Sequence, residues 1–201
     1  MKVRRLLIFP MSLALTTCAS LRDGSMDAGD AALKWHQRNA DIALLHDWSL
    51  TGRTVVKNGR RSWHFSLHWQ TSSQGYRVEL KTPLGQGVAR LYSGAEGAEL
   101  HVPDEPTLRA TDARTLLDQR FGWKLPTSLM NRWILGLPAS KQDGIPVLDR
   151  SGTALEIREA GWSIHYRRYG VWAGYLLPAM IVMSQGDTEV RVVIDDWVID
   201  G

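Results

Sequence analysis

Cysteine occurs once in the chain, at Cys18. A lone thiol cannot close an internal disulfide, so in an exported chain it stays free, bonds another molecule or is chemically modified. His64 and His68 share the i, i+4 spacing that gathers metal ligands on a helix, but their neighbours alternate with a period of two. On a strand, four residues at a ~3.3 Å rise hold the two rings roughly 13 Å apart, too far to share an ion. Asp195 and Asp196 are adjacent in another alternating stretch. That spacing points their carboxylates to opposite faces and denies them the work of a general acid and base pair. Gly85-Gln86-Gly87 lacks the third glycine and the preceding strand and helix rhythm of a dinucleotide loop. No Gly-x-Ser-x-Gly elbow occurs, so nucleophilic catalysis has no candidate. The residues point to no enzyme, no metal and no cofactor.

What precedes Cys18 gives that thiol a context. Lys2, Arg4 and Arg5 are followed by an apolar run over residues 6–15 and then by Thr16, Thr17 and Cys18. The run is about half of what a helix needs to cross a bilayer, so residues 1–17 read as a cleaved export signal. Leu15-Thr16-Thr17-Cys18 is similar to the lipobox of bacterial lipoproteins, with Thr17 where Gly, Ala or Ser is usual. The similarity implies a diacylglycerol on the thiol and a third acyl chain on the new amino terminus. The alternative is an ordinary secretory signal that happens to close on a cysteine. The signal also carries the chain's charge excess. Of 24 Lys and Arg against 21 Asp and Glu, three bases and no acid fall in residues 1–17, leaving 21 against 21. A balanced chain has no net field to gather phosphates, which excludes nucleic acid as a partner.

The remaining residues, enough for one domain with a sizeable core, must supply the fold. Residues 19–30 mix small and polar types without periodicity and read as a flexible tether. Over residues 31–46, Trp35, Ile42 and Leu45 recur at helical spacing behind Asp30 as a candidate N-cap. The period then becomes two. Trp48, Leu50, Gly52, Thr54 and Val56 alternate up to Asn58-Gly59, a strong hairpin turn signal. Trp63, Phe65, Leu67 and Trp69 return on one face, with Ser62, His64, Ser66, His68 and Gln70 on the other. Tyr76, Val78 and Leu80 continue the pattern, and residues 88–93 and 98–102 make two more strands. Ala113, Leu116 and Leu117 predict a helix from a Thr111 or Asp112 cap to Gly122, and a shorter one spans residues 127–135 before Gly136-Leu137-Pro138. After a polar loop over 139–152, strands resume at 155–157, 162–169, 179–183 and 190–198. About ten to eleven antiparallel strands with three helices and no βαβ rhythm predict an α+β fold: an open antiparallel half-barrel with helices against its apolar concave face.

On four motifs in this order the chain resembles the LolB family of lipoprotein receptors. They are Trp48-Ser49-Leu50-Thr51-Gly52-Arg53, Thr82-Pro83-Leu84-Gly85, Asn131-Arg132-Trp133-Ile134-Leu135-Gly136-Leu137-Pro138 and Asp195-Asp196-Trp197. The resemblance implies a monomer anchored through Cys18 on the periplasmic face of the outer membrane, with residues 18–30 as lipidated terminus and tether and 31–201 as the binding domain. Its partners would be the periplasmic carrier LolA, passenger lipoproteins and outer-membrane lipid. An apolar cavity would take the passengers' acyl chains, and transfer would run downhill without nucleotide hydrolysis. Leu84, between Pro83 and Gly85, matches the exposed leucine that such proteins carry on a loop and that would dip into the membrane. Read from the residues alone, it is as readily a turn leucine folded onto a neighbouring strand. Trp63, Phe65, Leu67, Trp69, Val78, Leu80, Trp133 and Ile134 lie on faces expected to be interior, as cavity lining or as plain core. An unlipidated carrier of the same fold and a membrane-anchored lipid-cleaving enzyme are the competing readings.

Overall fold

The computed structural model describes residues 23–140 and 143–199. The signal over 1–17, Cys18 and the tether residues 18–22 lie outside the described residues.

Eleven strands form one antiparallel sheet. In chain order they are β1 Trp48–Asn58, β2 Arg61–Ser72, β3 Gly75–Lys81, β4 Gly87–Gly94, β5 Gly97–His101, β6 Leu108–Ala110, β7 Ile145–Leu148, β8 Ala154–Glu159, β9 Trp162–Trp172, β10 Tyr175–Gln185 and β11 Thr188–Ile199. Their spatial order is β6-β5-β4-β3-β2-β1-β11-β10-β9-β8-β7. Each strand pairs with its sequence neighbour except at the centre, where β1 meets β11. The sheet is thus two meanders fused along their first and last strands, open at β6 and β7. The connection between those edges, containing α2 Ala113–Phe121 and α3 Thr127–Ile134, crosses the concave face. Its contacts trace the path. α2 packs on β4, β5 and β6, Asn131 of α3 accepts a bond from Trp69 of β2 at 2.9 Å, and Trp133 reaches Glu159 of β8. The α+β half-barrel expected from periodicity is the fold observed.

Three local expectations need correction. The first helix, α1, runs Asp23–Ala43, so it begins well before Asp30 and occupies much of the expected tether. Gly29 and Asp30, within that stretch, are exposed. β6 and β7 were not expected as strands, and β7 lies within the supposed polar loop. Both are short edges that borrow order from one neighbour.

The third correction concerns Asp195 and Asp196, which both face solvent rather than opposite sides. Register slips between Thr51 and Gly52, which pair with Asp196 and Ile194, so Asp195 is the extra residue of a β-bulge. Ile194 and Trp197 can then both be buried although they are three apart. Gly52 makes this possible, because a Cβ there would come within 2.2 Å of the Val193 carbonyl oxygen. Arg53 pairs with Asp195 at 2.9 Å, and Trp48 meets Trp197 edge to face at 5.3 Å. Two of the sequence motifs are therefore one structural unit.

Candidate functional site

Between the β1–β5 face and the connection above it lies an apolar cavity of about 60 Å³. Leu67 and Trp69 of β2, Val78 and Leu80 of β3, Ala89 and Leu91 of β4 and Leu100 of β5 form the floor. Val56 closes it at β1, and Val190 and Val192 at β11. Leu117, Trp123, Leu125 and Met130 form the roof. Strand alternation places the floor residues together, since β2 and β3 are in register with Leu67 opposite Leu80 and Trp69 opposite Val78. The only hydroxyls on the wall, Thr54 and Thr127, are already engaged: Thr54 donates to the Arg191 carbonyl at 3.1 Å, and Thr127 shares a 2.7 Å bond with Tyr76. No wall residue carries a formal charge. Such a surface can hold hydrocarbon and can do no acid–base chemistry.

Of the eight apolar residues expected inside, four meet on this wall: Leu67, Trp69, Val78 and Leu80. Trp63 and Phe65 pack beside it, edge to face against Trp123 at 5.4 and 5.9 Å. Trp133 and Ile134 are fully buried but belong to the other half of the concave face, where Trp133 packs near Trp162. Of the roof, sequence reading placed Leu117 on a helix face, but Trp123 and Leu125 escaped it because they fall between helices, where no period marks a face.

That other half is organised by polar groups. Glu159, 5% exposed, accepts bonds from Trp133 Nε1 at 2.7 Å and from the backbone N–H groups of Ala139 at 2.9 Å and Ser140 at 2.5 Å. Burial lowers the pKa of the nearby Arg132 guanidinium, and the Glu159 charge opposes that shift. Tyr166 donates to the Trp133 carbonyl at 2.8 Å, and burial pushes its phenol well up. Arg38 donates to the carbonyls of Leu176, Gly136 and Leu135 at 3.1, 3.4 and 3.0 Å. Its guanidinium lies over the Trp35 and Tyr169 rings, and desolvation lowers its pKa. Gly136 has φ +77°, and a Cβ there would meet Arg38 Nη2 at 2.9 Å. Glu159 thus holds the Trp133–Pro138 motif from both ends, through Trp133 and through the N–H groups just past Pro138, and Arg38 holds its middle. Sequence reading singled out neither residue, though each left a signal: Arg38 continues the stripe Ala31, Trp35, Ile42, and Glu159 lies two residues beyond the inward Ile157.

Leu84 lies outside the cavity, at the tip of the β3–β4 connection. Gly85 N–H donates to the Thr82 carbonyl at 2.8 Å, and Thr82 N–H to the Gln86 carbonyl at 2.7 Å, closing a tight turn. Leu84 is 91% exposed, the most exposed of the large apolar residues among the described residues, so the alternative of a leucine folded onto a strand does not describe it. His64 and His68 sit on β2 as separate outer-face residues, and among the described residues no group of three or more His, Cys, Asp or Glu could hold a metal. No helix among them is long and apolar enough to cross a membrane.

Known proteins agree with this arrangement. The family model of outer membrane lipoprotein LolB matches residues 46–197. An outer-membrane lipoprotein LolB of Nitrosococcus oceani is 36% identical over 202 aligned positions, covering 98% of each chain. Its counterpart in Pseudomonas savastanoi pv. phaseolicola is 31% identical over 199, covering 98% of this chain and 97% of its own. Among solved structures, a LolA superfamily protein of Nitrosomonas europaea superposes with a TM-score of 0.53 at 11% identity, over 85% of this chain and 94% of its own, a likeness of fold. With its four motifs gathered on that fold, the chain belongs to the LolB family of outer-membrane lipoproteins.

Proposed function

We propose that the protein is a receptor for acylated proteins, anchored to the outer membrane through Cys18. It takes their acyl chains from a soluble carrier of the LolA type into the cavity under α2 and α3, and it passes them to the bilayer without catalysis or nucleotide hydrolysis. The cavity supports this reading most directly: an uncharged wall whose hydroxyls are spent favours hydrocarbon, the Trp123 indole N–H being the one side-chain donor on it without a partner among the described residues. Each buried methylene contributes ~0.8 kcal/mol, so a chain moves between apolar containers at little net cost, whereas exposure to water is expensive. About 60 Å³ admits only a handful of water-sized groups. Uptake of a whole chain therefore displaces the roof. Leu84 acts at the other step, entering the bilayer during release.

The test uses a fluorescent fatty-acyl probe displaced by a diacylglyceryl-modified peptide, followed by transfer of that peptide to liposomes. The wild-type protein should bind saturably. Leu84→Glu should load and melt like the wild type while release falls by roughly tenfold or more, because a carboxylate resists the apolar layer. Absence of saturable acyl binding would overturn the receptor reading. Loss of loading in Leu84→Glu would overturn the role given to the turn.

A further inference from the structure

The Leu84 turn does not stand alone at its end of the sheet. Lys81, the last residue of β3, lies opposite Ser66, so beyond that pair the turn runs beside the part of β2 that β3 leaves unpaired. Pro83 confirms the course, lining a groove of about 400 Å³ with His64 and Phe65. Continuing along β2 leads to the β1–β2 hairpin, where Asn58 pairs with Arg61 and Arg60 occupies the turn. The α2 terminus joins the same end, since Asn58 Nδ2 donates to the Gly122 carbonyl at 3.0 Å.

The charges there are uneven. Lys57 is paired with Glu189 and Arg120 with Glu105. Arg60, Arg61, Lys81 and Lys124 are all exposed and have no carboxylate partner among the described residues. The acids at the same end without a cationic partner among the described residues are Asp104, Asp187 and, in the last turn of α2, Asp118, three against the four bases. A small positive excess remains, and its bases Arg60, Arg61 and Lys81 border the most exposed leucine among the described residues, while the chain beyond the signal is balanced overall.

We propose that this end is a docking surface for a bilayer containing anionic phospholipid, with Arg60, Arg61 and Lys81 gripping headgroup phosphates as Leu84 enters the acyl layer. The inference rests on the reading of Leu84 as the membrane-entering tip and adds the surface chemistry that the tip meets. Cationic side chains near an anionic leaflet strengthen attachment by about fivefold each, and salt weakens the effect. The surface would hold the cavity close to the bilayer during release and leave loading untouched.

The experiment reconstitutes the full lipidated protein into vesicles of phosphatidylcholine alone, or with a third of the lipid as phosphatidylglycerol. A fluorescent diacylglyceryl-modified peptide is loaded, and its release into the bilayer is timed at low and high salt. Release should be at least about fivefold faster with phosphatidylglycerol at low salt, and the gap should close at high salt. The triple change Arg60→Gln, Arg61→Gln, Lys81→Gln should remove the gap while loading and melting temperature stay as in the wild type. Equal release in both vesicles, or a gap that survives the triple change, would overturn the proposal. In either case a continuing block in Leu84→Glu would show that the tip reading survives. Normal release by Leu84→Glu would remove both.

Discussion

The two halves of the concave face belong to one sheet, are built from different strands of it and are held by different forces. On the β1–β5 side the wall is hydrocarbon, and apart from the Trp69–Asn131, Tyr76–Thr127 and Asn58–Gly122 bonds at its margins the roof touches it through contacts that any other apolar group could replace. On the β7–β10 side Glu159, Arg38, Tyr166 and Trp133 fix the Trp133–Pro138 segment through directional bonds to specific atoms. Dispersion contacts exchange partners at little cost, while a buried charge that loses a bond carries its full desolvation penalty. A cavity that must open and close belongs where contacts are interchangeable, and the frame it opens against belongs where they are not.

The largest way to break this contrast is Glu159→Ala. It leaves the Trp133 indole and two backbone N–H groups without their acceptor and removes the counter-charge of Arg132. Breaking a buried charged network costs about 3–5 kcal/mol, which lowers the melting temperature by about 10 °C in a chain of this size. Circular dichroism melts decide it. A variant melting like the wild type would mean that the frame is held by packing after all.

The contrast was only half visible in the sequence. Period-two alternation located the floor, because Leu67, Trp69, Val78 and Leu80 each occupy every second position of strands with one wet face. The turn at Leu84 followed from Pro83 and Gly85. The roof between α2 and α3 carries no such signature, since Trp123 is placed by the close of α2 at Gly122 and by the rings of Trp63 and Phe65, neither of which is a local pattern. Trp133 and Ile134 looked like lining for a related reason: helical spacing shows that a face is buried without showing which half of the sheet buries it. The bulge at Asp195 was invisible because it depends on Gly52, more than a hundred residues away.

A smaller effect sharpens the contrast by making one change on each side. Ala89→Leu adds three carbons to the cavity floor, and Ala154→Leu adds them to the fully buried frame. In a filled core such enlargement costs about 1–3 kcal/mol. Ala154→Leu should lose that much in urea unfolding and bind the acyl probe normally. Ala89→Leu should unfold nearly as the wild type does, because the new atoms enter open space, and should bind the probe about tenfold more weakly, equivalent to about 1.4 kcal/mol. Equal destabilisation by both changes with no loss of binding would place the ligand elsewhere.

The smallest expected effect tests whether the roof is the moving part. Asp112 caps α2, accepting the Thr115 backbone N–H and hydroxyl, each at 2.9 Å. The Thr115 N–H, with that hydroxyl, holds the Asp112 carboxyl below its ordinary range. Replacing a capping Asp by Ala costs about 1 kcal/mol, and at this exposed site the lower end is expected. Because the folded pKa is depressed, the cap's contribution is fully present above the ordinary carboxylate pKa and fades as pH falls through the folded value. Asp112→Ala should therefore melt a few degrees below the wild type at neutral pH, and the two should converge in acid. If α2 swings aside to admit an acyl chain, loosening its first turn should also speed probe association in stopped flow at neutral pH, with less effect on equilibrium affinity. An association rate unchanged by a measurable loss of stability would show that α2 is a fixed wall and that entry proceeds past Trp123 and α3 instead.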